Sequence, residues 1–147
     1  MNTDDALIGA IVDELGLDVY HLYPDSKRLI PDTVIWGIAS ACLIEFLKGL
    51  GGFNTLGQQA KDKLNELLRR WRTRDAFEPF IQTLNLQEPI ANELQDIRKT
   101  PPLSDKFEQA RQSLVDAFIQ FGLNRDDANE HAVRISELVS QAISESK

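Results

Sequence analysis

Apolar residues recur along this chain at the three-to-four-residue spacing of amphipathic helices, and that rhythm predicts six or seven helices. The first covers Thr3 to Leu15, where Leu7, Ile8, Ile11, Val12 and Leu15 make one stripe. Thr3 is its expected cap, Asp4 and Asp5 suit the positive end of its dipole, and Gly16 ends it. Residues 17–31 are less regular. Val19, Tyr20, Leu22 and Tyr23 precede a Pro24-Asp25 turn, which fits a short helix or an ordered loop. No second alternating run offers itself as a strand partner.

Pro31 and Asp32 then open the most apolar stretch, an expected central helix over 32–50. Val34, Ile35, Trp36, Ile38, Ala39, Ala41, Cys42, Leu43, Ile44, Phe46, Leu47 and Leu50 cover most of its circumference. A helix apolar nearly all round lies inside a bundle or in a membrane. Gly37 and Ala41 would allow a neighbouring helix close, and Glu45 and Lys48 mark its expected solvent-facing edge. Gly49, Gly51 and Gly52 stop it.

The next predicted helix, 54–74, begins with Asn54 as cap and carries Leu56, Ala60, Leu64, Leu67, Leu68 and Trp71 on one face. Asp75 with Glu78 reads as a capping box for a short helix containing Phe77, Phe80, Ile81 and Leu84. Pro89 looks like the first residue of another, with Ile90, Leu94 and Ile97 facing inward. Thr100-Pro101-Pro102 is the clearest break. After it, Ser104 caps a helix carrying Phe107, Ala110, Leu114, Ala117, Phe118 and Phe121. Gly122 stops that helix, and Asn124 caps the last one, lined by Ala128, Ala132, Ile135, Leu138, Val139 and Ala142. The expected architecture is all-α: a core over 1–99 and a helical hairpin over 104–146, packed together as one domain. Short β-branched runs between helices, which an α/β fold would need, are missing.

Composition agrees with a folded domain. Of 147 residues, 42% are hydrophobic and 27% charged, close to globular averages. A chain of this length can bury roughly two-thirds of its unfolded surface. The net charge of −7 argues against nucleic-acid binding by the surface as a whole. That charge is unevenly placed. Residues 54–74 hold six Lys/Arg and two Asp/Glu, +4, which leaves ten and twenty-one, −11, for the rest. The acidic start Met-Asn-Thr-Asp-Asp lacks the pattern of a secretory signal, so a cytoplasmic protein is expected.

Little in the sequence points to catalysis. Cys42 is the only cysteine and sits in the apolar run, where a buried, inert thiol is expected. His21 and His131 are the only histidines, too few for a two-His zinc motif on one helix. Asp126, Asp127, Glu130 and His131 are the densest set of metal-ligand types. Yet acidic residues belong in a first helical turn, and Asp127 can pair with His131 one turn on. The glycines from Gly49 to Gly57 lack the Gly-Lys-Ser/Thr signature of a phosphate loop and follow a helix where a strand is required. No cofactor or metal is expected.

What remains is the apolar helix and its basic neighbour. Segment 33–53 has the length to cross a bilayer core of roughly 30 Å. Glu45, Lys48, Thr33, Ser40 and its glycines argue instead for a buried helix in a soluble bundle. In layout, though in no motif, the pair resembles the sheltered apolar hairpin of helical pore-forming proteins. The basic helix suits an acidic partner, and Lys61, Arg69, Arg70, Trp71, Arg72 and Arg74 are the expected contact residues. Three expectations follow. The first is a non-enzymatic interaction module, adaptor or regulatory, that binds an acidic protein. The second is a membrane-active protein that inserts segment 33–53 or docks on an anionic membrane surface. The third is an enzyme whose site is not visible in sequence. Nucleic acid is disfavoured, because no second aromatic or recognition-helix layout accompanies Trp71.

Overall fold

A computed structural model describes residues 3–16, 32–53, 57–73, 87–100 and 102–144, all of them helix or short connection. Six helices are present among them: α1 Thr3–Leu15, α2 Asp32–Gly49, α3 Gln58–Thr73, α4 Gln87–Lys99, α5 Ser104–Gln120 and α6 Arg125–Ser144. The short helix or ordered loop expected at 17–31, the capping Asn54 and the short helix around Phe77–Leu84 fall outside the described residues, as does Arg74.

The all-α class follows from one demand. Every residue from Ile38 to Leu47 on α2 is buried, Ser40 and Glu45 included. Such a cylinder needs cover on all sides. It packs against α1, α3 and α5, while α6 packs on both α1 and α5 and touches α4. The residues after Pro102 are therefore part of the same core: Phe118, Phe121 and Ile135 join Ile11, Ile44 and Leu67 in one buried cluster. Phe107 on α5 sets its ring 6.0 Å from that of Phe46 on α2. Each fully buried aliphatic or aromatic side chain contributes about 1.5–3 kcal/mol. Among the described residues no helix is long and apolar enough to cross a membrane.

The helix ends depart from the expected pattern in instructive places. The central helix closes as foreseen: Gly52 N–H bonds to Leu47 O at 3.0 Å and Gly51 N–H to Lys48 O at 2.9 Å, with Gly51 at φ 87°. This six-to-one, five-to-two pair of bonds needs a left-handed residue. Gly122, at φ 101°, closes α5 in the same way. Ser104, by contrast, is not a cap. The cap position is Leu103, whose carbonyl takes the Lys106 and Phe107 amides, and a leucine has no side-chain acceptor to add. Pro89 is not the first residue of its helix. α4 starts at Gln87, and Pro89 lies within the first turn, where its missing N–H goes unneeded. The basic helix begins at Gln58, with Gly57 outside it. Asn124 does cap α6, accepting from Asp127 N at 2.7 Å while its amide donates to the Asp127 carboxylate at 3.0 Å.

Two contacts lock the remaining helices. Phe53, held at φ 67°, donates its backbone N–H to the buried Glu93 carboxylate at 2.7 Å, which ties the end of α2 to α4. Arg98 on α4 reaches the Ala142 carbonyl near the C-terminus of α6 at 3.3 Å. Trp36, counted in the apolar run, is 40% exposed. α2 and α5 approach closely at Gly49, where an added Cβ would stand 2.7 Å from Ala110 Cα.

Gly49→Ala should accordingly lower stability by about 1–2 kcal/mol, because overpacking outweighs the helix-propensity gain of alanine. Thermal melts followed by circular dichroism check this, and an unchanged or raised midpoint would contradict the α2–α5 approach. A second expectation concerns Glu93. Burial raises its carboxyl above the ordinary 4.5, the Phe53 amide opposes the rise and the Asp96 charge adds to it. The folded chain thus binds this proton more tightly than the unfolded chain does. The group's contribution to stability must rise as pH falls from neutral through the raised folded value, and level off below the unfolded value near 4.5. Glu93→Gln, which keeps an acceptor for Phe53 and never carries charge, should flatten the urea-denaturation profile across that window relative to wild type.

Candidate functional site

The phase of α3 decides what it shows to solvent. Leu64, Leu67, Leu68 and Trp71 all point into the bundle. Trp71 is fully buried, 4.6 Å from the Phe121 ring and edge-on to Phe118 at 6.4 Å. It was expected to meet a partner; it anchors α3 on α5 instead. The reason is size, since an indole on an apolar stripe gains far more by burial than by exposure. Its Nε1 is buried without a hydrogen-bond partner among the described residues.

With that stripe inward, Lys61, Asn65, Arg69 and Thr73 fall at successive fourth positions beside the buried face, about 6 Å apart along the axis. Lys48, one of the two residues placed on the exposed edge of α2, indeed projects there and donates from Nζ to Asn65 Oδ1. Two hollows open along this α2–α3 seam. The larger, about 490 Å³, is lined by Lys48, Asn65, Arg69 and Thr73, and by Ser113 from α5. The smaller, about 200 Å³, is lined by Lys48, Lys61, Phe53 and Leu64. Lys48 and Asn65 border both. Glu45, the other residue expected at the edge, is only 5% exposed and lies at the inner side of the larger hollow. α3 and α5 close over that face of α2, so one turn of helix separates a buried carboxylate from an exposed ammonium.

Electrostatically, the arginines are already engaged, though loosely. Arg69 bonds to Glu66 through Nε at 3.0 Å and through its terminal nitrogen at 2.6 Å. Arg70 reaches the same carboxylate at 2.9 Å. The Arg69 hydrogen bond, then that of Arg70, lowers the Glu66 carboxyl from 4.5 to about 2. Both guanidinium groups stay accessible, with side chains 51% and 33% exposed. Pairs of this kind, within one helix and open to water, exchange partners at little cost. Of the other expected contact residues, Lys61 is half-buried on the groove, and the Arg72 side chain and Arg74 lie outside the described residues.

The remaining chemistry is sparse. The Cys42 thiol is buried and pushed up by that burial, with the Glu45 charge adding, so it is held as the unreactive thiol. Asp127 bonds to Asn124 rather than to His131. His131 faces α1 instead, its Nδ1 at 3.3 Å from Glu14 Oε1, and Arg134 stands 3.6 Å from the other Glu14 oxygen. Among the described residues no three His, Cys, Asp or Glu side chains converge to hold a metal ion.

No protein-family profile, no curated protein and no solved structure matches this chain. Its site must be read from the geometry alone. Asn65 and Ser113 join Lys48 at the groove, Lys48 being expected only at the exposed edge of α2 and the other two not expected there. Asn65 carried a signal, the four-residue spacing from Lys61 to Arg69, whereas Lys48 and Ser113 reach the groove only through helix packing.

The Glu66 assignment has a direct check. Its carboxyl carbon, followed by NMR, should titrate near 2 in the wild type and climb toward 4.5 in Arg69→Gln. Because the folded value is the lowered one, these pairs support the fold above the unfolded value and lose that support as pH falls toward 2. A midpoint already near 4.5 in the wild type would show that the arginines do not hold Glu66.

Proposed function

We propose that this protein is a non-enzymatic helical interaction module, an adaptor or regulator, that binds an acidic protein partner along the exposed face of α3. One observation carries the reading: Lys48, Lys61 and Arg69 border two adjoining hollows, on a chain that outside residues 54–74 holds ten Lys/Arg against twenty-one Asp/Glu. Charge of that pattern favours an anionic surface at this face and repels it elsewhere. Trp71 supports the rigidity of the face and makes no contact itself. Lys61, Arg69 and Arg70 are the described residues that the partner meets, with Lys48 joining them from α2.

Poly-glutamate is a sufficient probe. Titrated at low ionic strength, it should bind the wild type, weaken steeply as salt approaches the physiological range, and lose roughly tenfold or more in affinity to the Lys61→Glu, Arg69→Glu, Arg70→Glu triple variant. The triple variant should keep its helical circular dichroism. No wild-type binding, or binding indifferent to the three reversals, would remove the proposal.

A further inference from the structure

We infer that the smaller hollow of the α2–α3 groove is a proton-linked site for acidic side chains: a partner carboxylate seated between Lys48 and Lys61 brings a proton onto buried Glu93, and the partner binds more tightly in mild acid than at neutral pH. The inference rests on the interaction reading above and gives that same face its regulation.

Placement is the first argument. The hollow is walled by Lys48 from α2, by Gly52 and Phe53 from the chain leaving α2, and by Lys61, Leu64 and Asn65 from α3. Glu93 on α4 lies against two of these. Its Oε2 takes the Phe53 N–H at 2.7 Å. Its Oε1 occupies the space that a Cβ on Gly52 would need, so a glycine is required there. One residue of backbone thus separates a buried carboxylate, 6% exposed, from a hollow edged by two ammonium groups. Lys48 already donates to Asn65, but an ammonium has three donors, so that bond leaves it able to meet an anion as well.

Charge is the second. Burial holds the Glu93 carboxyl above the ordinary 4.5, the Phe53 amide opposes the rise, and Asp96 one turn on adds to it. Lys48 and Lys61, from α2 and α3, stand across the Gly52–Phe53 wall. Toward α6 and α1, the other helices that α4 touches, Arg98 is bonded to the Ala142 carbonyl, while Glu14, His131 and Arg134 pair with one another. The two lysines are therefore the cations whose occupancy changes when a ligand arrives. An anion bound to them cancels their attraction for the Glu93 carboxylate and sets a like charge near it. At roughly 8 Å, partly screened by water, one such charge costs the ionised form about fivefold in ligand affinity. Coupling between two sites is reciprocal, so the bound anion strengthens proton binding at Glu93 by the same factor.

The proton also has a place to go. Oε2 keeps the Phe53 amide, and Oε1 takes the proton from solvent, so the wall holds its shape and only the charge changes. Exposed partner carboxylates stay ionised down to about pH 5, which leaves a window in which the partner is still anionic while Glu93 is being neutralised.

The test uses a short poly(vinyl sulfonate), whose charge is constant over the range in which carboxylates titrate. By isothermal titration calorimetry at fixed low ionic strength, its affinity for the wild type should gain about fivefold more between about pH 7.5 and pH 5 than its affinity for Glu93→Gln gains. Heats in two buffers of different ionisation enthalpy should show greater proton uptake by the wild type. The Glu93 carboxyl carbon, followed by NMR in the wild type, should titrate at higher pH when sulfonate is saturating. This measurement needs no variant and decides the matter even where Glu93→Gln disturbs the fold. Without ligand, Lys61→Gln should move the same midpoint upward, because a cation is lost. Equal pH dependence in wild type and Glu93→Gln, or a Glu93 midpoint indifferent to saturating sulfonate, would overturn the proton linkage and leave the interaction reading intact. No sulfonate binding at either pH would also overturn the linkage, and no poly-glutamate binding besides would remove the interaction reading with it.

Discussion

Shielding one apolar cylinder governs this molecule. From Ile38 to Leu47 the central helix offers no polar face to solvent, and each side left open would cost several kcal/mol of exposed hydrocarbon. Three helices therefore flank it, and the sixth closes the layer behind them. The close-packed Gly49–Ala110 crossing and the Phe46–Phe107 contact are local consequences of bringing α5 onto it. So is the strained turn at Phe53, where the chain must leave the end of α2 sharply. A left-handed non-glycine backbone is tolerated there because a buried carboxylate takes its amide.

The same demand creates the basic edge of the α2–α3 seam. Once Trp71 and the three leucines are drawn inward to cover α2, the helix phase leaves Lys61, Asn65 and Arg69 along the edge of the seam. Lys48 stands across from them, exposed between buried Leu47 and the Gly49–Ala110 crossing. The interior and this basic edge are thus two aspects of one packing decision. Changes in the apolar stripe of α3 should be felt at its basic edge through rotation or sliding of the helix, without any contact to a ligand.

Charge placement has a related logic. Glu66 lies one turn before Arg69 and Arg70 and bonds to both guanidinium groups while all three side chains remain open to water. His131, Glu14 and Arg134 form a separate polar junction that fastens α1 to α6.

Much of this was written in local order along the chain. The helix class, the Gly51 and Gly122 stops, the Asn124 cap, the buried Cys42 and the concentration of positive charge in 54–74 all depend on residues within one or two turns of each other, and their spacing is visible in a linear text. Trp71, Glu45 and Lys48 were not legible in the same way. Whether an aromatic beside four arginines turns outward, or which member of a Glu/Lys pair one turn apart is buried, depends on the helix that arrives opposite. That partner is chosen by packing residues far apart in sequence. Ser113 enters the groove only because Gly49 lets α5 approach. Periodicity assigned each helix a buried and an exposed face; only the crossing of those helices decided which exposed residues would meet along the α2–α3 seam.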